Sequence, residues 1–461
     1  MKRFLIVIAI LNCSVSAIDA KETPESPNFI LILSDDQSWK GTSVRMDPSI
    51  PQSKSDYYKT PNLERLFDQG VRFTQGYAPA PICCPTRRSL QIGQDTVRHM
   101  YQKDQPGWTD YYKQQPSIPQ SLKAINSNYR AAHFGKWDMR FDNITPKTVG
   151  YDESDGNTTN TEGGPKNSKA PPVTEDPKLI GHVTQRAEDF MRRCKDDDKP
   201  FYLQVSHYAV HLKVFYRQET LDEVESRKIG KIHRDPAFAA MTEDMDAGIG
   251  KLLSTVKELG LEDNTYIIFM SDNGGRTSIS KVKAPDQNKP LRDGKHSMYE
   301  GGLRVPFTIS GPGIKAGTVS HVPVSGIDLL PTMTDLAGKK LEHENLDGGS
   351  LKPLLIENAT EVKRSKDFLV FHKAVTREPH SAIRLGKYKL VKSWDEDKVE
   401  LFDLSKDLEE SKDLSKRKPE KTEELHNLLV NYLEQVNATT KFMGSKKKIY
   451  SLWDGAHDTN E

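Results

Sequence analysis

The chain has 461 residues, with 66 Lys or Arg against 65 Asp or Glu, and a formal charge of +1 excludes a global electrostatic attraction to nucleic acid or membrane. At 35% hydrophobic and 8% aromatic it can bury a sizeable core, which excludes a disordered polyelectrolyte, while a mean hydropathy of -0.67 implies a large polar surface with generous loops. Two domains are expected of this length, one built on a large sheet and one small appendage.

Lys2 and Arg3 precede an apolar run, Phe4 to Leu11, and small residues follow at Ser16, Ala17 and Ala20. This pattern reads as a secretory signal peptide over residues 1–20. The run is too short to span a bilayer, and nothing later approaches the roughly 18 apolar residues that a transmembrane helix needs. An exported protein, periplasmic or extracellular and without a transmembrane segment, is therefore expected. Cys13 follows Ile10, Leu11 and Asn12, a partial match to a lipoprotein site, but Asn12 is a poor small residue there and lipid anchoring is not expected. Beyond the leader only Cys83, Cys84 and Cys194 remain, an odd set that excludes a disulfide scaffold and leaves an adjacent pair of thiols to explain.

The first clear element is Phe29 to Leu33, apolar on both faces like a central parallel strand, and it stops at Ser34, Asp35 and Asp36. Thr60 as N-cap, Pro61 at the first helical position, Leu63, Leu66 and Phe67 on one face and Gly70 as terminator predict a short amphipathic helix. Pro85 is placed to start a helix directly after the cysteines. Tyr151 to Lys178 reads as a polar loop rich in Gly and Pro. Phe201 to Val205 predicts another strand. Met241, Met245, Ile249, Leu252, Leu253 and Val256 fall at helical spacing before a strand from Tyr266 to Met270. From about residue 340 the texture changes to short segments, Phe368 to Phe371, Ala382 to Leu385 and Tyr388 to Val391, and then to a helix from about Glu420 to Val436. Lys446 to Lys448 reads as a solvated charged face.

The expected fold is therefore α/β: a large, mostly parallel or mixed sheet flanked by helices over residues 21–345, with a smaller C-terminal α+β subdomain over 346–461 built on a short antiparallel sheet and a terminal helix.

Two strands end in acids, the first at Asp35 and Asp36 and the later one at Asp272 and Asn273. In an open parallel sheet, ligands bind beyond the carboxyl ends of the strands, so both ends can converge on one point. Three carboxylates and an amide carbonyl suit a hard cation, Ca²⁺ or Mg²⁺, with turn or N-cap duty as the alternative for either pair alone. A helix opening near Cys83 and Cys84, with Arg87 beside it, can hold a sulfate or phosphate through backbone N–H groups and a charge-assisted fork; a tight turn with a surface Arg accounts for the same residues equally well.

Cys83, Cys84, Pro85, Thr86 and Arg87 fit the CxPxR signature of the type I sulfatases, in the alkaline phosphatase superfamily, and the sequence resembles that family well beyond five residues. The resemblance includes TPNLERLFDQGVRFTQGYA (60 to 78), HFGKWD (133 to 138), AVH (209 to 211), IIFMSDNGG (267 to 275), PLRDGKHSMYEGGLRVP (290 to 306), RLGKYKL (384 to 390) and ELFDLSKDLEE (400 to 410), in the family's order. It implies that Cys83, two before Pro85 and four before Arg87, is oxidised to Cα-formylglycine by a separate formylglycine-generating enzyme.

By the same resemblance Asp35, Asp36, Asp272 and Asn273, with the residue made from Cys83, hold the cation, most simply Ca²⁺ with Mg²⁺ as the alternative. One hydroxyl of the hydrated aldehyde attacks sulfur, and the second later expels sulfate. Arg87, Lys136 and Lys295 occupy the positions that counter charge on the sulfate oxygens, and His211 the position of the acid that protonates the departing oxygen. Without that context Lys136 and Lys295 read as surface lysines and His211 as a structural histidine. His207 and His296 lie near the motifs and are noted as substrate contacts only.

Where many family members read GKWH, this chain reads Gly135, Lys136, Trp137, Asp138, and Asp138 is expected to stand in for the histidine as the base of sulfate release. The expected function is a secreted sulfatase acting on a sulfated polysaccharide or oligosaccharide. The alternatives are a phosphodiesterase or phosphonate hydrolase of the same superfamily, or a sulfated-glycan-binding protein with impaired turnover. Sequons at Asn143, Asn157, Asn358 and Asn437 carry glycans only in a eukaryotic secretory pathway.

Overall fold

The computed structural model describes residues 24–99, 108–139, 144–160, 173–279, 282–283, 286–373, 379–438 and 440. The leader with Cys13, residues 161–172 of the polar loop, the Asn143 sequon and the Lys446 to Lys448 run lie outside the described residues.

The large sheet is assembled from β1 (Asn28–Ser34), β2 (Gly70–Phe73), β3 (Arg130–Gly135), β4 (Glu153–Ser154), β5 (Phe201–Ser206), β6 (Thr265–Ser271), β7 (Phe307–Ser310) and β8 (Thr318–Ser320). Its order is β8-β2-β7-β6-β1-β5-β3-β4, and every neighbouring pair is parallel except the two that β7 makes with β6 and β2. β1 is buried at all its positions because both sheet faces are covered. Ile30 and Ile32 join Phe134, Leu203, Val205 and Phe269 in one core, whereas Phe29, Leu31 and Leu33 join Tyr202, Ile268 and Met270 in the other. The period of two along a strand sends alternate residues into the two layers.

The short amphipathic helix, α1 (Pro61–Asp68), buries Leu63, Leu66 and Phe67 as its spacing requires. Gly70 does not end it through a left-handed cap; it begins β2, where a Cβ would stand 2.3 Å from the Ile309 carbonyl oxygen of β7. The glycine is demanded by a close strand approach, and Gln69 makes the C-cap. The helix at the cysteines, α2 (Cys83–Ile92), starts two residues earlier than Pro85, with extended Ile82 as N-cap. Proline is harmless there because the first-turn N–H groups have no intrahelical partner in any case. The residues of α2 are buried throughout, and Gly93 closes the helix at φ 65 with its N–H on Ser89.

Two long helices cover one face. In α3 (Ile180–Asp196) the residues Val183, Ala187, Phe190 and Met191 face inward, and α4 (Pro236–Glu258) buries Met241, Met245, Ile249, Leu252, Leu253 and Val256 after an Asp235 cap that accepts from Phe238 N at 2.9 Å. Among the described residues no helix is long and apolar enough to cross a membrane.

The C-terminal sheet runs antiparallel in chain order through β9 (Phe368–Lys373), β10 (His380–Leu385), β11 (Tyr388–Ser393) and β12 (Lys398–Asp403). Its terminal helix α5 (Pro419–Gln435) packs Leu425, Leu429 and Leu433 on Val370, Ile383, Leu390 and Leu401. The opposite face meets Tyr77, Leu303 and Ile327 of the large body through Leu369, Phe371, Val391 and Phe402. A buried ion pair crosses the same junction, Lys389 Nζ to Glu300 Oε1 at 2.9 Å, and the Tyr77 hydroxyl donates to Glu300 Oε2 at 2.7 Å.

Candidate active site

Strand register decides where the motifs meet. Leu33 of β1 and Gly135 of β3 are both partnered by Ser206 of β5, and Ser34 faces Ser271 of β6. The residues that follow, Asp35, Lys136, His207 and Asp272, therefore leave the sheet at one edge. Gly135 lets β3 end there: at φ 95, a Cβ would stand 2.0 Å from the Ser206 carbonyl oxygen. Asp35 exchanges backbone hydrogen bonds with Ala209 and Val210, at 2.9 and 2.8 Å, which draws His211 in. Lys295 N donates to Gly275 O and His296 N to Pro81 O, each at 2.9 Å, so the Lys295 loop bridges the Asp272 strand and the entry to α2.

Asp35, Asp36, Asp272 and Asn273 are all buried. Asp36 adopts the left-handed region at φ 58, its N–H donates to Asp272 Oδ1 at 3.1 Å, and its Oδ1 accepts from Asn273 Nδ2 at 2.8 Å and pairs with Lys295 Nζ at 2.7 Å. Lys136 Nζ stands 2.5 Å from Asp35 Oδ2 and 3.6 Å from Asp138 Oδ2. Arg87 spends Nε and one NH₂ group on Asp272 Oδ2, at 3.0 and 2.7 Å, and the other on the Lys136 carbonyl at 2.6 Å. The fork expected to stand open for an anion is thus engaged by the protein, because a buried carboxylate needs charge-assisted donors, here two on the one oxygen Oδ2.

The charges set one another. Burial pushes the Asp35 carboxyl up against the pull of Lys136, with Asp36 adding to the rise. Burial and Asp35 bring Asp272 up to about 6. Burial alone would raise Asp36 as well, but Lys295, His211 and Arg276 hold it well below the carboxylate range. Burial disfavours charge on Lys136 and Lys295, yet Asp35 and Asp36 respectively keep them firmly protonated. The Cys83 thiol lies among these groups: burial and Asp138 push it up, against Lys136 and Lys295.

Asp35 Oδ1, Asp36 Oδ2 and Asn273 Oδ1 are buried acceptors with no hydrogen-bond partner among the described residues. Asp35, Asp36 and His211 also offer ligand atoms within 4.8 Å of one another. Orphaned oxygens on carboxylates and an amide fit a hard divalent cation, so the residues present suit the ion that the sequence pattern implies.

His211 accompanies this cluster, with Nδ1 2.6 Å from Leu212 O and Nε2 3.7 Å from Asp36 Oδ2. Burial and Lys295 hold its pKa well below the usual range, so the ring is neutral, and the Leu212 contact assigns the proton to Nδ1. Asp138 is buried at φ 53, with its N–H on Thr158 O at 3.1 Å. His296 is exposed, at φ 77. His207 is not brought to open space: it is completely enclosed, neither ring nitrogen has a partner among the described residues, and its Cε1 would lie 3.9 Å from a Cβ at Gly248 of α4.

Two participants escaped the sequence reading. Thr158 fixes the turn that carries Lys136 and Asp138, its hydroxyl donating to Gly135 O at 2.6 Å and accepting from Trp137 N at 2.9 Å. Lys178 is a buried amine whose pKa burial lowers to about 7, with Asp35 and Asp36 opposing the fall, and whose charge acts on His211. Neither belongs to a motif; the signal available for Lys178 was a lone basic residue ending the long polar loop.

The family model described as Sulfatase matches residues 27–339. A second, described as N-sulphoglucosamine sulphohydrolase, C-terminal, matches residues 293–439. The chain is 28% identical to N-acetylgalactosamine-6-sulfatase of Mus musculus, over 84% of this chain and 77% of that protein. It is 25% identical to a sulfatase of Formosa agariphila, over 91% of each. The crystal structure of Ps i-CgsB in complex with k-i-k-neocarrahexaose superposes with a TM-score of 0.74 at 26% identity, covering 94% of this chain and 98% of that one.

Proposed function

We propose that this chain, which belongs to the sulfatase family and is thereby a sulfuric ester hydrolase, is an exported enzyme acting on a sulfated polysaccharide or oligosaccharide. In this reading it uses a formylglycine made from Cys83 and a divalent cation, Ca²⁺ by preference, held by Asp35, Asp36, Asp272 and Asn273. The observation that carries the reading is the buried set of orphaned carboxylate and amide oxygens lying in the same charge cluster as Cys83. The names of two similar proteins support the substrate class: one is called a sulfatase of an amino sugar, and one was crystallised with a neocarrahexaose.

The cation, when bound, would supply positive charge that lowers the pKa of an adjoining hydroxyl. The chain's own groups do the rest. Lys136 and Lys295 each spend one close contact on a carboxylate, at 2.5 and 2.7 Å, and an ammonium has three donors, so each retains N–H groups for the sulfate oxygens that gain charge as the S–O bond breaks. Arg87 holds Asp272 and the Lys136 carbonyl in place and adds a fixed positive charge. A bound anionic ester offsets Lys295 and favours the imidazolium of His211, whose Nε2 then protonates the leaving oxygen.

His211→Gln is expected to slow release of sulfate from a sugar hydroxyl by roughly 10²- to 10⁴-fold, and far less from an aryl sulfate, whose phenolate leaves without a proton. The ratio of kcat/KM on the two substrates reads this directly. Equal losses on both would remove the acid role. Asp138 stands 3.6 Å from Lys136 Nζ and acts on Cys83, which suits a base for the later release of sulfate. Asp138→Ala should give a normal first turnover followed by slowed release, visible as a burst in stopped-flow assays, and Asp138→His should restore turnover. A parental steady-state rate for Asp138→Ala would defeat that assignment.

The function itself is tested by measuring sulfate release from defined sulfated sugars with protein co-expressed with a formylglycine-generating enzyme, beside matched phosphate esters. Release from a sulfated sugar, lost with a chelator, is the expected result; preference for phosphate esters would favour the phosphodiesterase reading.

A further inference from the structure

Lys178 is a basic side chain of the charge network that the mechanism above does not use. Its side chain is buried, at 2% exposure. Among the described residues its ammonium makes no hydrogen bond and no ion pair, and its one ring contact is the Phe215 face, 5.3 Å from Nζ to the centroid. Elsewhere in the cluster the cations are matched to carboxylates, Lys136 to Asp35, Lys295 to Asp36 and Arg87 to Asp272. An ammonium with unused donors inside a protein is costly, and such groups are normally paired or aimed at something that arrives.

The backbone holds Lys178 at that place deliberately. Lys178 and Leu179 are both left-handed, at φ 56 and 51, in the turn Pro177–Leu179 that leads directly into α3. The Asp176 carboxylate accepts from Gly181 N and His182 N at 2.6 and 3.0 Å, which fixes the direction of the helix entry. Upstream, Thr174 N donates to Tyr216 O at 3.1 Å and Val173 bridges Tyr216, so the segment is tied to the stretch that follows His211. Two consecutive left-handed residues without glycine carry strain, which the surrounding hydrogen bonds over-determine. Burial lowers the pKa of Lys178 to about 7, with the charges of Asp35 and Asp36 opposing the fall, and its own charge in turn lowers that of His211, the group assigned to the leaving side.

We infer that Lys178 is a specificity-determining substrate contact, whose ammonium receives an anionic oxygen of the substrate beside His211. The inference rests on the sulfatase reading above. The oxygen comes from the sulfate being removed or from an acidic substituent of the same sugar, a carboxylate or a second sulfate, and the two sources share one chemistry.

The test compares Lys178→Met, which keeps the apolar stem, and Lys178→Arg with the parent, all bearing formylglycine and loaded with Ca²⁺. A charge-assisted contact predicts a fall in kcat/KM of about 10- to 100-fold for Lys178→Met and substantial recovery in Lys178→Arg. The melting temperature should not drop, because an unpaired buried charge has been removed. If the scissile sulfate is the partner, the loss extends to 4-nitrophenyl sulfate, and inorganic sulfate binds more weakly by calorimetry. If a neighbouring substituent is the partner, the loss falls on KM for sugars that carry it, and 4-nitrophenyl sulfate is turned over as before. The inference is overturned if Lys178→Met matches the parent on every substrate and in sulfate binding, or if it only lowers the melting temperature with KM unchanged. A parent that releases sulfate from nothing would defeat the proposed function instead, and inorganic sulfate binding to parent and variant would still decide the role of Lys178.

Discussion

Cys83→Ala is expected to lower sulfate release by roughly 10⁴-fold or more, since the attacking group is lost while binding and electrostatics remain. The thiol as encoded is the wrong nucleophile. Cys83 is 7% exposed, and burial together with Asp138 holds its pKa above the ordinary thiol range despite two nearby lysines. Reactive thiols occupy sites that favour the thiolate, and this one favours the protonated form. Among the described residues Cys83, Cys84 and Cys194 form no disulfide, so none explains the residue either. Conversion of Cys83 to an aldehyde would resolve the conflict, because a hydrated carbonyl takes its reactivity from its hydroxyls. Cys84→Ala is the control, expected to retain activity, since Cys84 is the neighbour that the signature leaves variable. Mass spectrometry of the peptide spanning residue 83 and labelling with an aldehyde-reactive hydrazide provide readouts independent of turnover. Parent and Cys84→Ala should label and Cys83→Ala should not; an intact thiol at Cys83 in an active preparation would end the proposal.

What the sequence made legible was local and repetitive. β1 could be read because a strand covered on both faces must be apolar at every position, and the acids that end β1 and β6 stand out against such runs. The terminal helix and three of the four C-terminal strands carried their own periodicity. β12 did not, since Lys398 and Glu400 break its apolar pattern at an exposed edge of the sheet. β3 was hidden because it contains Arg130 and His133, and His133 is accommodated by distant groups, Nε2 bonding the Ser206 hydroxyl of β5 and the ring packing edge-on against Trp137 and Tyr151. α3 was hidden by its entry, where two left-handed residues replace a recognisable cap. In the site, the residue types could be read but not their commitments. The engagement of Arg87 by Asp272 joins groups 185 positions apart, and the segment that leads to Lys178 is tied to the stretch after His211 by the bond from Thr174 to Tyr216. Local propensity carries no information about such pairs.

Asp36→Asn is expected to remove the response to Ca²⁺ altogether and to cut activity by roughly 10³-fold or more, the scale of losing metal-derived charge stabilisation. Asp36 is the hinge of the cluster: Oδ1 pairs with Lys295 and accepts from Asn273, Oδ2 is the orphaned oxygen near His211, and the backbone N–H is held by Asp272. In the parent, a ligand that binds only the folded state stabilises by about 2.7 kcal/mol at a hundredfold excess over its Kd, so Ca²⁺ should raise the melting temperature and a chelator reverse it. The pH dependence has a definite sign. Asp35 and Asp272 are raised above their unfolded values, Asp272 to about 6, so in the ion-free protein these charges are unfavourable at neutral pH and are relieved as the pH falls. Protons therefore compete with the cation, and the Ca²⁺-dependent gain in melting temperature should be full near pH 8 and shrink as the pH drops through about 6. Asp36 is held well below the carboxylate range and stays charged across that window, adding no slope of its own. Scanning calorimetry with Ca²⁺ or chelator between pH 5 and pH 8 measures the gain directly. A gain independent of pH, or one retained by Asp36→Asn, would place the ion elsewhere in the molecule.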